Sequence, residues 1–365
     1  MCRLLLKVLL LLLLALPAIA NIDQASAGAE ASIQLPPPKA GRTRSLVAIA
    51  ADNAGTETTD LIVPYGVLKA AGVADVVIVS THPGVVGLMP ALAIEPDTTM
   101  SEFDAASPSG ADIVIVPAMH DSGNKAVISW VQEQSAKGAI VVSICEGAWI
   151  SARAGILEGK VATTHWYAFD DLANAFPTTR WVRDQRYVFD RNVLTTTGVT
   201  ASIPASLALV EAIAGRAKAS AAAAQLGVAD WTAVHDSGPF RLTAGRIWQI
   251  GSNFLAFWGH ETLQVPVEAG FDEIALALTA DAWSRTYRSH AVAVGKSGPI
   301  RSRHSLMLVP DRNAASACPD ISIPQTASAR ALDHALAEIA ARYGSSTAGI
   351  VALQLEYPTR QAGAY

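Results

Sequence analysis

The sequence predicts an α/β protein: a parallel sheet with helices on both faces, followed by a C-terminal α/β extension. Three observations predict it. Short apolar runs recur between residues 45 and 200, most followed by a stretch with helical spacing of its apolar positions. The runs are apolar throughout rather than alternating, as strands covered on both faces are. Polar and reactive residues gather where the runs end, the edge at which such sheets bind ligands.

The elements follow in order. Ser45 to Ala51 is the first strand. Asp60 to Ala71 has helical spacing through Leu61, Val67 and Leu68, with Pro64 placed in the first turn, where a missing N–H is tolerated. Val76 to Val79, Ile113 to Val116, Ile140 to Ile144 and Val193 to Thr196 are further strands. Helices are expected through Ile128, Trp130 and Val131, from Glu146 to about Ala154, and from Ile203 to Ala214. The strand ends then carry Asp52-Asn53, Thr81-His82, Ala118-Met119-His120, Cys145 and Thr197-Gly198.

The N-terminus reads as a processing signal over residues 1–27. Arg3 and Lys7 precede an apolar run from Val8 to Leu16, and Ala18-Ile19-Ala20 and Ala25-Ser26-Ala27 each offer a small-x-small cleavage pattern. The run is short for a membrane span, so an exported (periplasmic or secreted) protein without stable membrane insertion after cleavage is expected, an uncleaved anchor being the alternative. Residues 28–43, with Pro36-Pro37-Pro38, form a linker; residues 44–228 carry the main domain and 229–365 the extension. Phe271 to Trp283 resembles the stretch from Thr59, with Asp272 in the place of Asp60. Leu306 to Asp311 resembles Leu92 to Asp97, and Ala331 to Leu355 resembles Ser202 to Leu226. An incomplete second copy and chance likeness between Ala-rich segments both fit this.

A net charge of -5 and a pI near 5.9, without a Lys/Arg stripe, argue against nucleic acid as a partner. No Gly-rich phosphate loop follows the first strand, and His82, His120 and His165 lack helix-borne ligand spacing. No cofactor or metal is therefore expected. After signal removal Cys145 and Cys318 remain, too few for a disulfide scaffold.

The chemistry concentrates at Ser143-Ile144-Cys145-Glu146-Gly147. Small residues two positions either side of the cysteine permit a sharp strand-to-helix turn, a nucleophile elbow with sulfur in place of hydroxyl. A helix start beyond it favours thiolate and offers backbone N–H groups to a developing oxyanion. A buried cysteine packed as a small apolar residue is the competing reading.

The run CEGAWISARAGILEGKVATTHW, from Cys145 to Trp166, resembles the ThiJ/PfpI superfamily, of class I glutamine amidotransferase-like type. So do Thr196 to Ala201 and Thr59 to Pro64, and the resemblance covers roughly residues 45 to 228. It is nearest the branch holding isonitrile hydratase and the sensor domains of amidase-like regulators. The resemblance implies a flavodoxin-like sheet, often in a dimer, so a homodimer or an intramolecular pseudo-dimer is expected. It implies Cys145 as nucleophile, Asp60 as a carboxylate hydrogen-bonded to the sulfur, and His165 as an active-site histidine. An N-cap role for Asp60 and a surface position for His165 are the competing readings.

Two departures stand out. Where the superfamily has a Gly-Gly pair serving the oxyanion hole, this chain has Ala118-Met119-His120, bringing side chains toward the pocket. Where its proteases carry histidine after the nucleophile, this chain has Glu146, which weakens a peptidase reading. Ala118, Met119, His120, Glu146, Gly147 and Thr197 are the expected substrate-binding or oxyanion residues. The expected function is a cysteine-dependent hydrolase or lyase acting on a small electrophile, with a non-catalytic ligand-binding or redox-sensing domain as the alternative.

Overall fold

A computed structural model of the chain describes residues 33–296, 298–311 and 318–358. The expected signal segment, residues 1–27, lies outside them. Among the described residues no helix is long and apolar enough to cross a membrane.

Seven strands form the main sheet, in the order Tyr187–Asp190, Val193–Thr196, Ile140–Ser143, Ile113–Val116, Ser45–Ala51, Ala74–Ser80 and Thr98–Thr99. All pairings are parallel except that of Tyr187–Asp190 with Val193–Thr196. Taking the five long parallel strands by position in the chain, the order is 2-1-3-4-5, the flavodoxin-like arrangement. The order reverses between Ser45–Ala51 and Ile113–Val116, which opens a crevice beyond their carboxyl ends. Val-, Ile- and Ala-rich strands bury nearly every residue, because two apolar clusters pack against the opposite sheet faces.

The first helix, Thr58–Ala71, is buried almost all round. It lies between the main sheet and the helix Glu273–Ser284 of the extension, so no polar face is required. The two helices approach closely at Gly66, where a Cβ would come within 2.5 Å of Ile274 Cγ1. Glu57, not Asp60, is the N-cap of this helix, accepting from the Asp60 N–H. The helix begins earlier than its apolar spacing suggests, so Pro64 falls in the second turn rather than the first. Proline has no N–H, so the Asp60 carbonyl loses the partner a regular helix would supply.

Residues 261–354 show an order of elements like that of part of the main domain. The parallel pair Glu261–Pro266 and Ser289–Val294 flanks the helix Glu273–Ser284, as Ser45–Ala51 and Ala74–Ser80 flank Thr58–Ala71. A 3-10 turn, a helix of 13 residues, a glycine and a second helix recur at 328–354 and at 199–226. Gly215 and Gly344 join the helices at φ +84° and +88°, conformations that L side chains avoid. The register differs from the sequence pairing, because Asp272 is an N-cap like Glu57, which sets Asp60 opposite Ala275. Met307–Leu308 pairs antiparallel with Ala93–Glu95, so the two similar segments noticed in sequence lie side by side.

Candidate active site

Cys145, with φ +54°, opens a 3-10 turn, Cys145–Gly147, that follows the strand Ile140–Ser143. A non-glycine residue holds that left-handed conformation at a cost, and the surroundings fix it. The Cys145 N–H donates to Thr196 Oγ1 at 3.1 Å, and Thr164 Oγ1 donates to the Cys145 carbonyl at 3.0 Å. Ser143 and Ser151 share a hydroxyl contact of 2.6 Å beneath the turn. Gly147 is required by space, since a Cβ there would meet the Val116 carbonyl oxygen at 2.0 Å. The expected helix from Glu146 is thus a three-residue 3-10 turn followed by a short helix, Ala148–Arg153.

A cluster of buried charge lies beside the cysteine. Asp60 Oδ2 accepts the Ala118 N–H at 3.1 Å, while Asp60 Oδ1 is buried without a hydrogen-bond partner. Burial pushes the Asp60 carboxyl up to about 7, against the opposing pull of the Ala118 N–H, Arg285 and His165. Glu57 is buried too, and its carboxyl is held well above the ordinary range by burial and then by the Asp60 and Asp281 charges. Arg285 reaches this cluster from the extension. Its Nη2 donates to Glu57 Oε1 at 2.6 Å and its Nε to Asp281 Oδ2 at 2.7 Å. Burial works against the guanidinium charge, and the two carboxylates outweigh it.

The helix-start expectation of a thiolate is corrected. Burial pushes the Cys145 thiol well up, and the Asp60, Glu146 and Glu57 charges add to the effect. The Glu146 N–H opposes them. A three-residue turn supplies little dipole, so desolvation and like charge win. No hydrogen bond joins Asp60 to the sulfur; the two interact through charge. Among the described residues, Cys145 and Cys318 are both free of disulfides.

His165 is buried rather than a surface residue. Its Nε2 bonds the Gln354 carbonyl at 3.1 Å, and a carbonyl only accepts, so Nε2 carries the proton. That leaves Nδ1 unprotonated in the neutral ring, 3.6 Å from Glu146 Oε1. Ala118 is also corrected: its N–H is committed to Asp60 and its carbonyl to the Glu57 N–H, so it has no free donor for an oxyanion. Met119 is buried, whereas His120 is exposed, its N–H on the Gly55 carbonyl. Thr197 is engaged elsewhere. Its N–H bonds the Arg186 carbonyl, and it lines a separate cavity of about 500 Å³ with Arg186, His235 and Glu356.

Sequence reasoning missed Glu57, Arg285, Thr196 and Gln354. Thr196 had a readable signal: in register Thr195 faces Ser143, which puts Thr196 beside the turn. Arg285 had none, being 228 residues from Glu57.

Fold and site together define a flavodoxin-like α/β protein with an elbow cysteine beside a buried carboxylate. The chain belongs to the DJ-1/PfpI family, whose pattern matches residues 45–212. It is 33% identical over 163 residues to isonitrile hydratase of Pseudomonas putida, covering 43% of this chain and 67% of that protein. It is 30% identical over 155 residues to a deglycase of Pyrococcus horikoshii, covering 41% of this chain and 86% of the deglycase. It is 32% identical over 89 residues to the HTH-type transcriptional regulator GbdR of Pseudomonas aeruginosa, which is 24% of either chain.

Proposed function

We propose that this protein is an exported, cysteine-dependent hydrolase or lyase that adds water to a small electrophilic carbon. The observation that carries the reading is the buried carboxyl of Asp60, poised near neutrality beside an elbow cysteine held as a thiol. Such a carboxylate takes the thiol proton as sulfur attacks carbon and returns it to the atom that gains negative charge. Water then releases the bound carbon and regenerates the thiol. The Met119 and Glu146 amides are the oxyanion donors in this reading, since that of Ala118 is spent. His165 and Glu146 border the site and orient substrate or water. Similarity to isonitrile hydratase and to a deglycase supports small-molecule chemistry at this position. Export rests on the N-terminal basic, apolar and small-residue order.

A second reading, ligand binding without turnover, is favoured by the raised Cys145 thiol and by similarity to GbdR. Incubation with isonitriles, aldehydes and amides, followed by intact-protein mass spectrometry, separates the two. The enzyme reading expects product and a trapped Cys145 adduct, both lost in Cys145→Ala. It also expects activity to rise with pH through about 7, the Asp60 range, and to vanish in Asp60→Asn. Saturable binding that survives Cys145→Ala, with neither adduct nor product, would establish the binding reading instead.

A further inference from the structure

The helix Ala244–Leu255 is mounted inside out. Its one buried residue is polar: Asn253 donates to the Thr286 carbonyl at 3.0 Å and to Thr347 Oγ1 at 3.1 Å. Gln249 Nε2 supports Asn253 Oδ1 from within the same helix. His260, just past the helix, bonds the Asn253 carbonyl at 3.0 Å. Most of the large apolar residues point outward. Trp248 is 78% exposed, Trp258 80% and Phe257 72%, with Ile247, Phe254 and Leu255 all more than half exposed. Single exposed apolar residues need no explanation, but a contiguous face with two tryptophans does.

Charge limits what covers it. Between Asp236 and Glu261 the sequence holds no acidic residue, while Arg241 and Arg246 stand at the helix start. Arg246 Nη1 is anchored on the Pro239 and Arg241 carbonyls, and Arg241 is exposed. A second copy seated on this face would offer these guanidinium groups no carboxylate from the same segment. An anionic surface suits both features, because Trp and Phe favour the lipid–water boundary and arginine favours acidic headgroups. We propose that residues 241–258 form a membrane-docking face that rests on anionic lipid bilayers without crossing them.

The test is co-sedimentation of the full chain with vesicles of phosphatidylcholine, alone or with about a quarter phosphatidylglycerol. Wild type is compared with a variant carrying Ile247→Ser, Trp248→Ser, Phe254→Ser and Trp258→Ser. Both keep residues 1–32, so an apolar N-terminus contributes equally. The expected result is stronger binding to the anionic vesicles and at least about tenfold weaker binding by the variant. Arg241→Gln should weaken binding to anionic vesicles and leave neutral ones unaffected. Acyl-chain-brominated lipid should quench the tryptophan emission of the unmodified protein, a measurement that needs no variant to fold. Equal partitioning of wild type and variant, or absence of quenching, overturns the proposal. So does a wild type that ignores vesicles and sediments as a dimer that the variant dissolves, because the face then belongs to a second copy.

Discussion

Gly147 is fixed by space rather than by backbone angle. A methyl group there would overlap the Val116 carbonyl, and the strand that carries this oxygen is in the middle of the sheet. Gly147→Ala should therefore displace the turn, lowering stability by about 3 kcal/mol or more and removing selective modification of Cys145. Denaturant melts and mass spectrometry of the alkylated protein check both. At Asp60 the effect is electrostatic. A carboxyl whose folded value lies near 7, against about 4 in the unfolded chain, binds its proton more tightly when folded. Stability contributed by this group is then full below about pH 4 and is lost as pH rises to about 7. Glu57 acts in the same direction. Thermal melts of Asp60→Asn should show a smaller loss of stability between pH 5 and pH 8 than wild type, by at most about 3 kcal/mol. The same substitution removes a charge that raises the thiol, so Cys145 should alkylate faster at neutral pH even as turnover disappears.

At the scale of elements, the strands were the legible part. Ser45–Ala51, Ile113–Val116 and Val193–Thr196 have the limits their sequence pattern suggests, because a strand covered on both faces carries few polar positions to blur them. Helix starts were less legible. Glu57 and Asp60 are both acids near one helix start, and only the bond from the Asp60 N–H tells which is the cap. The elbow could be read from five consecutive residues, but its electrostatics could not. Those depend on burial and on Arg285, which arrives from the end of the helix Glu273–Ser284. Arg285→Met leaves Glu57 and Asp281 buried without their cation. It should cost about 3–5 kcal/mol in urea denaturation and move the rising limb of the pH–rate profile to higher pH. Arg285→Lys, which lacks the two-armed geometry, should recover only part of either effect.

Across the whole molecule, the extension is part of the site rather than an appendage. Its helix Glu273–Ser284 covers the first helix at Gly66, and the Gln354 carbonyl fixes the tautomer of His165. Trp166 Nε1 on the Leu353 carbonyl and Gly198 N–H on Glu356 Oε2 tie the same C-terminal stretch to the main domain. A chain ending at residue 228 would expose the apolar flank of the first helix and strand two buried acids. It should aggregate on expression or lack a cooperative thermal transition, whereas the full chain should melt in one step.

Arg285 and Gln354 reach the site along the same polypeptide that carries Cys145. Their supply to the site is thus an intramolecular event, governed by tether length and not by mass action. A site completed by a separate subunit empties of its borrowed groups when the protein is diluted below the dissociation constant. Here the occupancy of those two groups is set by the fold, so dilution of the protein should not empty the site of them, however scarce it is in its surroundings.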